Sequence, residues 1–135
     1  MEKDLKIFGY ASLFNAEDLS GDIIKKGAFK SSLENRGSVP LLFNHDTCCP
    51  IGVWERVEED EHGLFVSGII KTSVSPNASR VASLVFDNIV SEISIGYRIV
   101  EASQRPEGGQ NLIELSLEEI SLRSNRGDKI KWDLL

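Results

Sequence analysis

Ile93-Ser94-Ile95-Gly96-Tyr97-Arg98-Ile99-Val100 sets Ile93, Ile95, Tyr97 and Ile99 at alternate positions, the period of a half-buried strand. Ser94 and Gly96 fall on the opposite row, a small hydroxyl beside a residue with no side chain. That row predicts an open backbone patch next to Ser94 where a substrate chain can approach closely. Most strand serines are merely solvated. Ser94 acquires chemical meaning only if the rest of the chain supplies a base and an acid to orient it.

Upstream, Ser75-Pro76 is a helix-start signal, and the pattern predicts a helix over 77–88 with Val81, Leu84, Val85 and Asn88 on one stripe, widened by Ala82, Phe86 and Ile89. Ile51–Val57 and Leu64–Ile70 read as two strands joined by the acidic turn Glu58-Glu59-Asp60-Glu61-His62-Gly63. The charge run there is expected to be solvated and His62 exposed and inert. Val39 to Asp46 reads as a strand with Val39, Leu41, Phe43 and His45 on one row. Residues 6–14 form a first strand and Ile23-Ile24 a short extended piece. Gly27-Ala28-Phe29 leads into a short helix carrying Phe29 and Leu33 on one face. After the hairpin loop 104–110, Leu112 to Leu122 forms a long strand, and the remainder to Leu135 is short and polar. The expected fold is mainly β (α+β): one domain over 1–135, a small, mostly antiparallel β-barrel of six to seven strands with two or more flanking helices.

Composition narrows the function. The chain has 135 residues, 41% hydrophobic and 27% charged, as in a soluble globular domain with a real core. No apolar run approaches the ~18 residues of a membrane span. Met1 to Lys6 lacks the apolar core of a signal peptide, so the expected location is the cytosol. A net charge of -6 argues against nucleic acid and anionic membranes and favours a protein or peptide partner. Cys48 and Cys49 are adjacent, so no disulfide framework exists. Their spacing from His45 matches no closed tetrahedral metal pattern, so no metal is expected.

A hydroxyl nucleophile needs a base in hydrogen-bond reach and gains from a third group that orients it. His45 is the only histidine outside the charged turn. Glu119 follows Ile113, Leu115 and Leu117 on one row, which predicts a partly buried carboxylate that needs a partner. The plain alternatives are that His45 ends a strand and that Glu119 is exposed where the sheet frays. Parity also sets Ser94 opposite its apolar row and Glu119 on its own; a bulge, or helices over the outer face, would reconcile them. Cys48 or Cys49 beside His45 is a weaker nucleophile candidate, with nothing nearby to lower a thiol pKa.

Five ordered blocks carry a family resemblance. They are Gly9 to Asn15; Gly21-Asp22-Ile23-Ile24 with Gly27-Ala28-Phe29; Leu41 to Asp46 with Pro50 to Trp54; Ser94-Ile95-Gly96-Tyr97; and Glu119-Ile120-Ser121-Leu122. Together they resemble the prohead (capsid maturation) proteases of HK97-type tailed phages. The resemblance implies a serine endopeptidase with a barrel similar to that of herpesvirus assembly proteases. It implies Ser94 as nucleophile, His45 as general base and Glu119 as the group orienting that base. It also implies no cofactor, a substrate in the scaffolding portion of a major capsid protein, self-cleavage, self-association and action inside the prohead within the bacterial host cytoplasm. The other reading is an inactive barrel that binds capsid or scaffold as an assembly factor. Arg123-Ser124-Asn125-Arg126-Gly127-Asp128 departs from the family pattern, and the chain stops sooner than many relatives. Those departures bear on packaging and self-processing more than on the chemistry.

Overall fold

The computed structural model describes residues 2–124 and 128–135. In chain order the elements are β1 (Leu5–Leu13), β2 (Ile23–Ile24), α1 (Lys30–Arg36), β3 (Pro40–Phe43), β4 (Asp46–Glu59) and β5 (Gly63–Ile70). They continue with α2 (Pro76–Phe86), β6 (Glu92–Gln104), β7 (Gln110–Arg123), β8 (Asp128–Lys129) and β9 (Lys131–Leu134). Most of these follow the sequence pattern. The two-residue β2 and β8 and the four-residue β9 are too short to show a period of two, which is why six or seven strands were expected.

Among the described residues β7 pairs with three other strands. β6 pairs with it antiparallel along one edge. The other edge is shared: β2 pairs parallel at Asn111 and Leu112, and β3 pairs parallel at Ile120 to Leu122. Between them α1 and its lead-in serve the free main chain. The Leu115 amide donates to the Ala28 carbonyl at 2.9 Å, and the Leu117 amide donates to Ser32 Oγ at 2.9 Å. The unit β2–α1–β3 therefore returns the chain to the same edge in the same direction.

That geometry corrects the expected antiparallel barrel. The sheet is mixed, and its hydrogen-bonded path, β8-β6-β7-β3-β4-β5-β1-β9, is open rather than closed on itself. The segment expected to be a polar tail instead supplies β9, which pairs antiparallel with β1. Of the departing stretch after Leu122, residues 125–127 lie outside the described residues.

One core cluster joins the strands, α2 and the lead-in to α1. Leu5, Ile7, Leu64, Val66, Ile70, Leu112, Leu115 and Leu117 are buried, each contributing about 1.5–3 kcal/mol by leaving water. Ser75 caps α2, its side chain accepting from the Ala78 amide at 3.0 Å, with Pro76 in the first turn. The helix buries Ala78, Val81, Ala82 and Val85. Of the expected stripe Val81, Val85 and the widening Ala82 are buried and Ala78 joins them, whereas Phe86 and Ile89 are exposed. Leu84 is only partly buried, and Asn88 lies beyond the helix. Among the described residues no helix is long and apolar enough to cross a membrane.

The acidic turn between β4 and β5 is not simply solvated. Glu59 accepts from the Gly27 and Phe29 amides at 2.9 and 2.8 Å, fixing the entry to α1. Asp60 closes the turn by accepting from the His62 and Gly63 amides, and it accepts the Tyr10 hydroxyl at 2.5 Å, tying β1 to the turn. His62 is exposed, with its ring edge-on to Tyr10.

The Tyr10 hydrogen bond holds the Asp60 carboxyl below its ordinary value of 3.8 and, from the other side, lifts the Tyr10 phenol above 10.0. The carboxylate's contribution is present above pH 3.8 and is lost as pH falls further; the phenol's is present below pH 10.0 and is lost as pH rises further. Tyr10→Phe is therefore expected to be less stable than the wild type between those limits, with the gap narrowing on both sides. Urea unfolding across the pH range checks this; a gap independent of pH at both ends would refute it.

Candidate active site

β3 ends at Phe43, and Asn44 and His45 form a two-residue hairpin turn before Asp46 pairs back with Phe43. Both turn residues have positive φ, 52° and 60°, a backbone that Asn and His enter more readily than most side chains. His45 thus sits at a hairpin tip, not on the strand row with Val39, Leu41 and Phe43. Two hydrogen bonds hold the tip against β7. The Asn44 amide donates to the Leu122 carbonyl at 3.0 Å, and the His45 amide donates to Ser121 Oγ at 2.9 Å.

The parity conflict between Ser94 and Glu119 is resolved by a bulge. In the β6–β7 ladder Ser94 faces Ser121 and Gly96 faces Glu119, but Tyr97 faces Leu117, leaving Glu118 as an extra residue on β7. The core row therefore runs Leu115, Leu117, then Ile120 and Leu122, all buried. Glu119 is turned onto the face that Ser94 occupies. Further register shifts flank Glu101. They leave Ile113 exposed and Leu112 buried, so Ile113 does not belong to the row on which it was predicted.

These two local features bring the three predicted residues together. His45 Nδ1 lies 2.5 Å from Glu119 Oε1, and His45 Nε2 lies 3.0 Å from Ser94 Oγ. With a carboxylate as its partner, Nδ1 carries the proton and donates it, which leaves Nε2 to accept from the Ser94 hydroxyl. The Glu119 side chain is 11% exposed and that of His45 is 34% exposed, so the acid is enclosed while the base opens to solvent.

The patch beside Gly96 is not vacant. A Cβ built on Gly96 would stand 2.7 Å from Glu119 Oε1 and 2.9 Å from its Cδ and Cγ. The missing side chain is thus the space in which the carboxylate lies, rather than an opening for substrate. The open space is next to Ser94 on the other side. A cleft of about 410 Å³ is walled there by Ser94, Ile95 and Tyr97, with Leu13 of β1 and Asp18 and Asp22 of the following loop. Burial, and then the charges of Asp18 and Asp22, push the Tyr97 phenol above its ordinary value.

Sequence reasoning missed Ser121, which is fully buried and donates to Glu119 Oε2 at 2.8 Å. A signal was available: two residues beyond Glu119 on a strand, Ser121 shares its face. Cys48 is exposed, its amide bound to Asp46, and Cys49 is buried. Among the described residues no three His, Cys, Asp or Glu side chains converge on a point that would hold a metal ion.

Residues 1–124 match the profile of the family described as caudovirus prohead serine protease. The chain belongs to that family. The match takes in all five blocks singled out above. The chain is also 40% identical over 95 residues to the prohead protease of Enterobacteria phage HK97, which covers 69% of this chain and 42% of that protein. It therefore spans less than half the length of that relative. Among solved structures it resembles varicella-zoster virus protease, with a TM-score of 0.62 at 19% identity over 97% of this chain and 64% of that one. It also resembles the Kaposi's sarcoma herpesvirus protease in complex with a hexapeptide phosphonate inhibitor, with a TM-score of 0.59 at 15% identity, covering 97% and 65%. At such identities the two viral structures establish a shared fold.

The space above Gly96 yields a test. Gly96→Ala is expected to push the Glu119 carboxylate away from His45, because the new methyl meets the carboxylate at sub-contact distance. A low-field proton resonance from a His Nδ1–H bound to a carboxylate is expected in the wild type and should disappear in the folded variant. An unchanged resonance would mean that the carboxylate does not depend on that space.

Proposed function

We propose that this chain is a serine endopeptidase of capsid maturation, with Ser94 as nucleophile, His45 as general base and Glu119 orienting the base. The observation that carries the reading is the unbroken series of hydrogen-bond contacts from Ser94 Oγ through the His45 ring to Glu119. It occurs in a member of the prohead serine protease family.

In this reading Ser94 Oγ attacks the scissile carbonyl carbon as Nε2 takes the hydroxyl proton. The resulting imidazolium is stabilised by the Glu119 carboxylate. Collapse of the tetrahedral intermediate breaks the C–N bond, and Nε2 returns the proton to the leaving amine. Water, deprotonated by the same nitrogen, then releases the acyl group from Ser94. The substrate chain lies along the cleft beside Ser94, Ile95 and Tyr97. The substrate is the scaffolding portion of a major capsid protein, and the enzyme works inside the immature capsid in the host cell.

The test is co-expression with the cognate capsid protein, followed by intact-mass measurement. Wild type is expected to shorten the capsid protein at a defined bond, whereas Ser94→Ala and His45→Ala leave it full length. Glu119→Gln is expected to slow cleavage roughly 10²- to 10⁴-fold, by leaving the imidazole without its anionic partner. Full-length capsid protein with the wild type, in assembled proheads, would overturn the reading in favour of a non-catalytic assembly factor.

A further inference from the structure

The hydrogen-bond series does not stop at Glu119. Ser121 Oγ accepts from the His45 backbone amide at 2.9 Å and donates to Glu119 Oε2 at 2.8 Å. One hydroxyl therefore grips both the main chain of the residue carrying the base and the carboxylate oxygen that the base leaves free. Ser121 is fully buried, so no solvent competes for either bond. It stands opposite Ser94 in the ladder and belongs to the segment of β7 that pairs with β3, directly under the hairpin tip.

From this geometry we infer that Ser121 is a positioning residue for the base, a fourth member of the site that sets the His45 ring at once to Ser94 and to Glu119. This inference rests on the catalytic reading above. The physical need is specific. His45 sits at positive φ in a turn, so its ring direction follows the turn's backbone; beyond the strand pairing that ends at Phe43, the Asn44 amide is the other hydrogen bond from this turn to β7. The carboxylate has its own freedom, since a Glu side chain rotates about three bonds. The Ser121 hydroxyl ties turn and carboxylate together, holding the second oxygen so that the first stays aimed at Nδ1. Ser121 touches no reacting atom; it acts through His45 and Glu119.

The test uses the full chain and a fluorophosphonate probe, which reacts covalently with an activated serine. The rate of labelling is separated into the probe's binding constant and its maximal rate constant. Ser121→Ala is expected to lower the maximal rate roughly ten- to a hundredfold, the range for losing a hydrogen bond to a charged group, with binding unchanged. The low-field His45 Nδ1–H resonance is expected to shift or broaden in the same variant. Ser121→Thr, which restores the hydroxyl, is expected to recover both.

A Ser121→Ala protein that labels at the wild-type rate with its resonance unmoved would overturn the inference. So would a folded Ser121→Thr protein as impaired as Ser121→Ala. If Ser121→Ala does not fold, Ser121→Cys takes its place, with a similar volume and a weaker donor. An intermediate rate then supports the role, and the wild-type rate overturns it. Ser94→Ala is the control that separates the two claims. Wild type labelling no faster than Ser94→Ala would defeat the catalytic reading, while the resonance would still decide whether Ser121 holds the base.

Discussion

A single extra residue in one strand decides where the site's carboxylate points. A strand of strict period two that buries Leu115 and Leu117 would also send Glu119 into the core, an expensive place for an ionisable group. Glu118 absorbs one step of the pleat, so Ile120 and Leu122 take up the core row and Glu119 emerges beside Ser94. The new row is fixed on its far side by Trp54, whose indole nitrogen donates to the Ile120 carbonyl at 3.1 Å. On the near side the absence of a Gly96 side chain leaves the carboxylate somewhere to lie. Remove the bulge, and neither the buried tryptophan bond nor the alignment on His45 has a partner in the right place.

The second constraint is the hairpin tip. Asn44 and His45 occupy a backbone region that most side chains avoid, and a free turn of that kind would not hold a ring in one direction. Here β7 holds it, through the Leu122 carbonyl and the Ser121 hydroxyl. β7 thus carries one chemical group itself, pairs with the strand that carries another, and anchors the turn that carries the third. The mixed sheet follows from the same arrangement, since β3 must run parallel to β7 for its end to deliver the turn at that level.

How far the sequence revealed this depends on the range of the physics involved. Alternation was enough for the strand around Ser94, and the Ser75-Pro76 cap was enough for the start of α2. The three chemically apt residue types could be picked out because His45 had one rival and Ser94 had a glycine beside it. The partnership of Ser94 with Ser121, the turn geometry at His45 and the position of the bulge are long-range matters. The conflict of parity between Ser94 and Glu119 was visible and left a bulge or covering helices as ways out, but nothing in Leu117-Glu118-Glu119-Ile120 says that there is a bulge or which glutamate is the extra residue. The parallel pairing of β3 was hidden because it depends on a helix only seven residues long spanning the gap between two short strands on one edge.

That split edge also governs when the site comes into being. Leu41 to Phe43 must find Ile120 to Leu122, and β1 must find β9, so the first third of the chain waits for the last. Closing loops of that length precedes any gain from the contacts they bring, which makes such topologies slow to fold. While the chain emerges from the ribosome, His45 and Ser94 are both present for some time with neither a carboxylate nor a turn anchor. The three groups meet only once the strand through Leu122 has docked, so the order of synthesis itself acts as a delay before the constellation exists.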